Sequence, residues 1–86
     1  MANERIGLNL PSLGELRWQC RRGKLELDIA LEGYLDQYFN DSSEAEQRDF
    51  AALLQADDQD IFDWVVRGLT PPSGGIAAIV RKIRRA

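Results

Sequence analysis

Residues able to do acid–base, nucleophilic or metal chemistry are unevenly supplied in this chain. Carboxylates come in close pairs: Glu26 with Asp28, Asp57 with Asp58, Asp60 with Asp63. On a helix, Asp60 and Asp63 share a face. Proton transfer by such a pair needs an enclosed site that shifts their pKa values. These pairs stand instead in polar helix openings, where solvated carboxylates belong. Histidine is absent, which removes the commonest general base and metal ligand. What remains for a metal is a carboxylate site for a hard cation, and the EF-hand spacing is missing. Cys20 is the single cysteine, so no internal disulfide forms. It has two readings: a small buried hydrophobe on an apolar stripe, or a thiol activated by Arg21 and Arg22. No catalytic residue and no metal ligand is assigned.

The remaining chemistry gathers in Trp18 to Asp28, WQCRRGKLELD. A basic pair meets Gly23, and an acidic helix opening follows. A helix stop and a helix start account for the glycine and for Glu26 in a first turn. They do not account for Arg21 and Arg22, since a base near a helix C-terminus adds only about 0.3–1 kcal/mol when exposed. A glycine flanked by Arg and Glu would also admit another protein's backbone. It would offer a forked donor and an acceptor at that point. Two readings therefore stand side by side: a plain joint between helices, and a protein-contact site.

Several helices must position this joint. Pro11 to Glu15 opens the first, with Ser12 and Glu15 spaced as a capping box. Leu13, Leu16 and Cys20 form its stripe, Trp18 lies off it, and Gly23 is expected to stop it. Leu27, Ala30, Leu31, Tyr34, Leu35 and Tyr38 follow the helical template closely, and mark the central helix. Gly33 weakens that helix by roughly 1 kcal/mol relative to Ala, and a close helix–helix contact there would account for it. Ser43 and Glu46 make a second capping box, and Phe50, Leu53 and Leu54 are the buried face of a third helix. Asp57 to Asp60 supplies a cap and an acidic first turn for a fourth. Its stripe is Ile61, Trp64 and Val65, extended by Leu69, and Gly68 ends it. Thr70 to Gly75 is a loop. Ile76, Ile79, Val80 and Ile83 belong to a fifth helix whose bases, Arg81, Lys82, Arg84 and Arg85, suit the negative end of the helix dipole.

No segment alternates as a strand, and no period repeats. The expected fold is all-α: a single-domain, compact five-helix bundle with two- to six-residue connections. Residues 1–11 are expected to be a flexible N-terminal segment, and residues 12–86 the folded domain. A chain of 86 residues buries about 60% of its unfolded surface. It holds one small core, which favours a binding or adaptor module over an enclosed catalytic cavity.

The formal charge is −3, from 14 acidic and 11 basic residues, and it is lopsided. Asp41, Glu44, Glu46, Asp49, Asp57, Asp58, Asp60 and Asp63 face a single base, Arg48, in that stretch. The end of the chain is basic instead, a feature that fits dipole and solubility or contact with anionic lipid or nucleic acid. The net charge opposes non-specific nucleic-acid binding. No apolar run reaches a membrane span, and no signal or transit pattern opens the chain. A soluble, cytoplasmic protein is expected, monomeric when free.

Arg22-Gly23-x-x-Glu26 followed by Leu27-Asp28 resembles the RGxxE signature of the succinate dehydrogenase assembly factor (SdhE) family, bacterial flavinylation factors with mitochondrial relatives. Trp18, Cys20 and Arg21 match that pattern as well. So does Leu53-Leu54-x-x-Asp57-Asp58-x-Asp60-Ile61-Phe62-x-Trp64, and the likeness runs from about Leu16 to Arg67. The resemblance implies a five-helix assembly factor, chaperone-like and not itself an enzyme. It implies binding to the flavoprotein subunit of succinate dehydrogenase, and in bacteria of fumarate reductase. It further implies promotion of covalent FAD attachment to a partner histidine, with no cofactor held tightly here. The implied partner-binding residues are Arg22, Gly23 and Glu26, then Asp28, Arg21 and Trp18. An antitoxin or general helical adaptor without a flavin role is the alternative.

Overall fold

The computed structural model describes residues 11–85. Its helices are α1 (Leu13–Gln19), α2 (Leu25–Gln37), α3 (Glu44–Leu53), α4 (Asp58–Val65) and α5 (Gly74–Arg85), with a 3-10 turn at Phe39–Asp41 after α2. No strand occurs among the described residues. The expected all-α five-helix bundle is what forms. The expected flexible segment 1–11 lies, but for Pro11, outside the described residues.

Local chemistry sets most helix starts. Ser12 and Ser43 each accept a hydrogen bond from the backbone N–H of the glutamate three residues on, and Glu15 and Glu46 return the bond. Both boxes satisfy amides that a helix start leaves orphaned. Asp57 occupies the cap position of α4 in extended backbone but makes no side-chain cap bond. Its first turn still carries Asp58 and Asp60. Ser73 was read as loop, yet its Oγ accepts from the Ile76 N–H at 3.2 Å and so caps α5. That helix begins at Gly74, inside the expected loop, and the connection from Val66 to Ser73 is longer than expected.

One core forms where the apolar stripes meet. Leu16 and Cys20 come down from α1 onto Leu27, Leu31, Tyr34 and Leu35 of α2, and Phe39, Phe50, Leu53, Leu54, Ile61, Val65, Ile79, Val80 and Ile83 complete it. Tyr34 and Phe50 pack in a tilted pair with ring centroids 5.1 Å apart. Truncating a buried Phe of this kind costs about 3–5 kcal/mol. No polar or charged residue is fully buried among the described residues.

Four expectations fail at element ends. Leu13, placed on the first stripe, is exposed at the opening residue of α1. Tyr38 was placed on the central stripe but is exposed, and Phe39 is buried in its place. The cause is that α2 stops at Gln37 and the 3-10 turn rotates the next side chain inward. Leu69 is exposed because α4 has already ended before Gly68. Gly23 does not itself end α1, which stops at Gln19 with Cys20 as its C-cap. Gly33 departs from expectation differently: a Cβ there would meet nothing within 4 Å. The close approach lies at Gly75 instead, where a Cβ would stand 2.8 Å from Asp49 Oδ1 of α3.

Candidate functional site

The joint is a short irregular link between α1 and α2, held from both sides. At the α1 end the Cys20 N–H donates to the Leu16 and Arg17 carbonyls, and the Arg21 N–H to the Trp18 carbonyl at 3.1 Å. Gly23 then takes φ +80°, the left-handed conformation that glycine enters without a Cβ clash. Lys24 is the N-cap of α2 but offers no side-chain acceptor. Asp28, in the first turn of α2, reaches back past the cap to the link itself. Its Oδ1 accepts from the Arg22 N–H at 2.7 Å and its Oδ2 from the Gly23 N–H at 3.2 Å. One carboxylate thereby fixes the two peptides at the bend.

Arg22 points inward. Its Nη1 donates to Asp58 Oδ1 at 2.9 Å, and its Nη2 donates to the Leu54 carbonyl. The side chain is only 14% exposed, and its Nε has no partner. The guanidinium fork, expected to be offered to another molecule, is thus engaged across the gap to the α3–α4 turn. It stitches the joint to an element more than thirty residues later. Charge-assisted bonds of this kind contribute about 1.5–3 kcal/mol.

Cys20 lies beneath the joint and is fully buried. Burial, helped by the charge of Glu32, pushes its thiol up to about 12, and the neighbouring arginines pull the other way with less effect. The thiol stays protonated near neutrality, so of its two readings the buried hydrophobe is the one realised.

The outward half of the joint is differently made. Trp18 is 74% exposed. Arg21 reaches Glu32 with its Nε 3.6 Å from Oε2 and remains largely in solvent. Glu26 is exposed and makes no ion pair among the described residues. The place where a Gly23 side chain would stand is empty to 4 Å. Of the six expected contact residues, Trp18, Arg21, Gly23 and Glu26 therefore face outward, while Arg22 and Asp28 hold them there.

Two residues missed by the sequence reading join this face. Leu25 is 75% exposed and Ile29 63% exposed. The signal was available: both fall on the far side of α2 from the Leu27–Leu31–Tyr34 stripe. Asp58, the counter-ion of Arg22, carried no such signal. Its position reads equally well as a helix-opening acid.

The described residues contain no group of three His, Cys, Asp or Glu able to hold a metal. No described helix is long and apolar enough to cross a membrane. The geometry suits docking: a glycine with open space, a free carboxylate, and apolar side chains in water, all on a pinned backbone.

Comparison with known proteins identifies the family. A family model described as "Flavinator of succinate dehydrogenase" matches residues 14–86. That match runs past Arg67, where the motif resemblance stopped, and takes in α5. The chain is 46% identical over 68 residues to the FAD assembly factor SdhE of Vibrio vulnificus strain YJ016, covering 79% of each. It is 41% identical over 70 residues to that of Haemophilus ducreyi, covering 81% of this chain and 85% of the relative. With that of Coxiella burnetii it shares 39% over 71 residues, or 83% and 87% of the two chains.

Proposed function

This chain belongs to the family of succinate dehydrogenase flavinators, and we propose that it docks on the flavoprotein subunit of that enzyme and promotes covalent attachment of FAD to it. The flavin and a histidine of the partner supply the bond-forming chemistry. This chain has no histidine of its own and acts as a chaperone-like factor without holding the cofactor tightly. Fumarate reductase, a second flavoprotein of the same chemistry, is a further partner, and the encounter takes place in the cytoplasm with the free factor monomeric.

The observation that carries this reading is the division of labour in the joint. Arg22 and Asp28 hold the bend from inside, so Gly23, Glu26, Arg21 and Trp18 meet the partner as a preformed edge. A preformed edge loses little conformational entropy on docking. Gly23 lets a partner backbone approach. Glu26 accepts charge-assisted bonds from partner donors, and Trp18 covers the contact with a large rigid side chain. Docking raises the population of the partner conformation in which flavin and histidine are aligned. A conformer favoured by 1.4 kcal/mol is raised about tenfold.

The test is co-expression of the full chain with the flavoprotein subunit in cells lacking their own factor, followed by in-gel flavin fluorescence after denaturation. Fluorescence above the empty control is expected. Fluorescence equal to the control refutes the function.

A further inference from the structure

The contact surface does not stop at the joint. Glu26, Ile29 and Gly33 stand at i, i+3 and i+7 along α2, on one face. All three line a groove of about 460 Å³ whose other wall includes Val66, Ile83 and Arg84. Gly33 has no internal reason to be glycine. Its φ is not positive, and no side chain or neighbouring backbone would meet a Cβ placed on it. Ile29 is a β-branched aliphatic on a helix, mostly in water. Glu26 belongs both to this groove and to the docking edge. The two charged residues in the lining, Glu26 and Arg84, are of opposite sign and form no ion pair with each other or with other described residues. Arg84 lies over Gly68, where a Cβ would stand 2.5 Å from its Nη1.

From these observations we infer that the α2–α4–α5 groove receives a segment of the same flavoprotein subunit, as a continuation of the Gly23 edge. The segment carries an apolar side chain that seats over Gly33 against Ile29 and Ile83. A base on it meets Glu26 and an acid on it meets Arg84. The bare Gly33 is the seat, and Ile29 is its wall. The inference rests on the proposed docking partner and adds a second, independently removable contact to it.

The experiment titrates the full chain against the purified FAD-loaded flavoprotein subunit by calorimetry, with thermal unfolding of each variant alone. Gly33→Leu fills the seat while suiting the helix. It is expected to melt at or above the wild-type temperature and to bind about tenfold more weakly. Ile29→Ala removes an exposed side chain, leaves melting unchanged, and weakens binding about fivefold. If both variants bind within twofold of wild type while Gly23→Arg does not bind, the groove has no part in docking. The inference is then overturned and the function stands. If the wild-type chain itself fails to bind, both are overturned. If wild type dimerises in sedimentation and Gly33→Leu does not, with flavoprotein binding unchanged, the occupant is a second copy and the inference is again overturned.

Discussion

Gly23 and Gly68 have almost the same backbone, φ +80° and +79°, and the same local reason to be glycine. Each follows a helix end, where the left-handed conformation turns the chain. Their surroundings differ. The space beside Gly68 is taken by the guanidinium of Arg84, whereas the space beside Gly23 is open. An identical torsion thus serves two ends. At Gly68 the missing side chain lets the molecule close on itself. At Gly23 it leaves open space, which the proposed docking would fill. Positive φ explains both glycines equally, and the open space beside Gly23 is what separates the two surroundings.

The largest expected effect breaks this contrast from the Gly23 side. Gly23→Arg fills the open space and loses flavoprotein binding by about a hundredfold or more. Its own folding loss is about 1–2 kcal/mol, the strain of a side chain at positive φ. Calorimetric titration beside a urea melt separates the two, and retained binding would break the contrast. Next comes Arg22→Ala. It removes the bonds to Asp58 and Leu54 and lowers unfolding stability by about 2–3 kcal/mol, read by the same melt. Gly68→Ala follows, at about 1–2 kcal/mol of stability for the same positive-φ strain. Its binding loss is no more than about threefold, because it reaches the partner only through Arg84. A Gly68 variant that binds as poorly as Gly23→Arg would abolish the distinction.

The smallest effect concerns the α3–α5 scaffold behind Gly68. Glu46 is held below the ordinary carboxylate value of 4.5, first by the bond from Lys82 and then by the Ser43 backbone N–H. Lys82 Nζ lies 2.9 Å from Glu46 Oε2. A lowered folded pKa means that the stabilisation is complete above 4.5 and disappears as pH falls through the folded value. Glu46→Gln should therefore show a shallower loss of melting temperature on acidification below pH 4.5 than wild type. Parallel curves would remove the Lys82 pair from the account of this scaffold.

What could be read from the sequence follows the range of the interactions. Both capping boxes, the middle of each amphipathic stripe and the special backbone at Gly23 depend on residues within one or two turns and were legible, while stripe ends at Leu13, Tyr38 and Leu69 were not. The burial of Cys20 was legible as one of two readings, since its stripe is local. The direction of Arg22 was not. Its partners Asp58 and Leu54 sit on a turn brought near only by tertiary packing. A basic pair beside a glycine looks equally like a presented fork. Tyr38 and Phe39 exchanged places because α2 ends without a glycine signal, and one residue of slip reverses which ring enters the core. Gly33 misled for a related reason: a helix-interior glycine signals a missing side chain without saying whether a neighbour or open space lies beside it.

The stitch from Arg22 to the α3–α4 turn also orders events during synthesis. A ribosome that has released residues up to Phe50 has displayed the whole Arg22-Gly23-x-x-Glu26 motif, but neither Leu54 nor Asp58 has emerged. The bend then has Asp28 but not the Arg22 half of its inner clamp, and the fork of Arg22 hangs in water. The motif becomes a surface only when the α3–α4 turn arrives. A nascent or truncated chain therefore carries the recognisable letters without the Arg22 stitch that the proposed docking edge relies on.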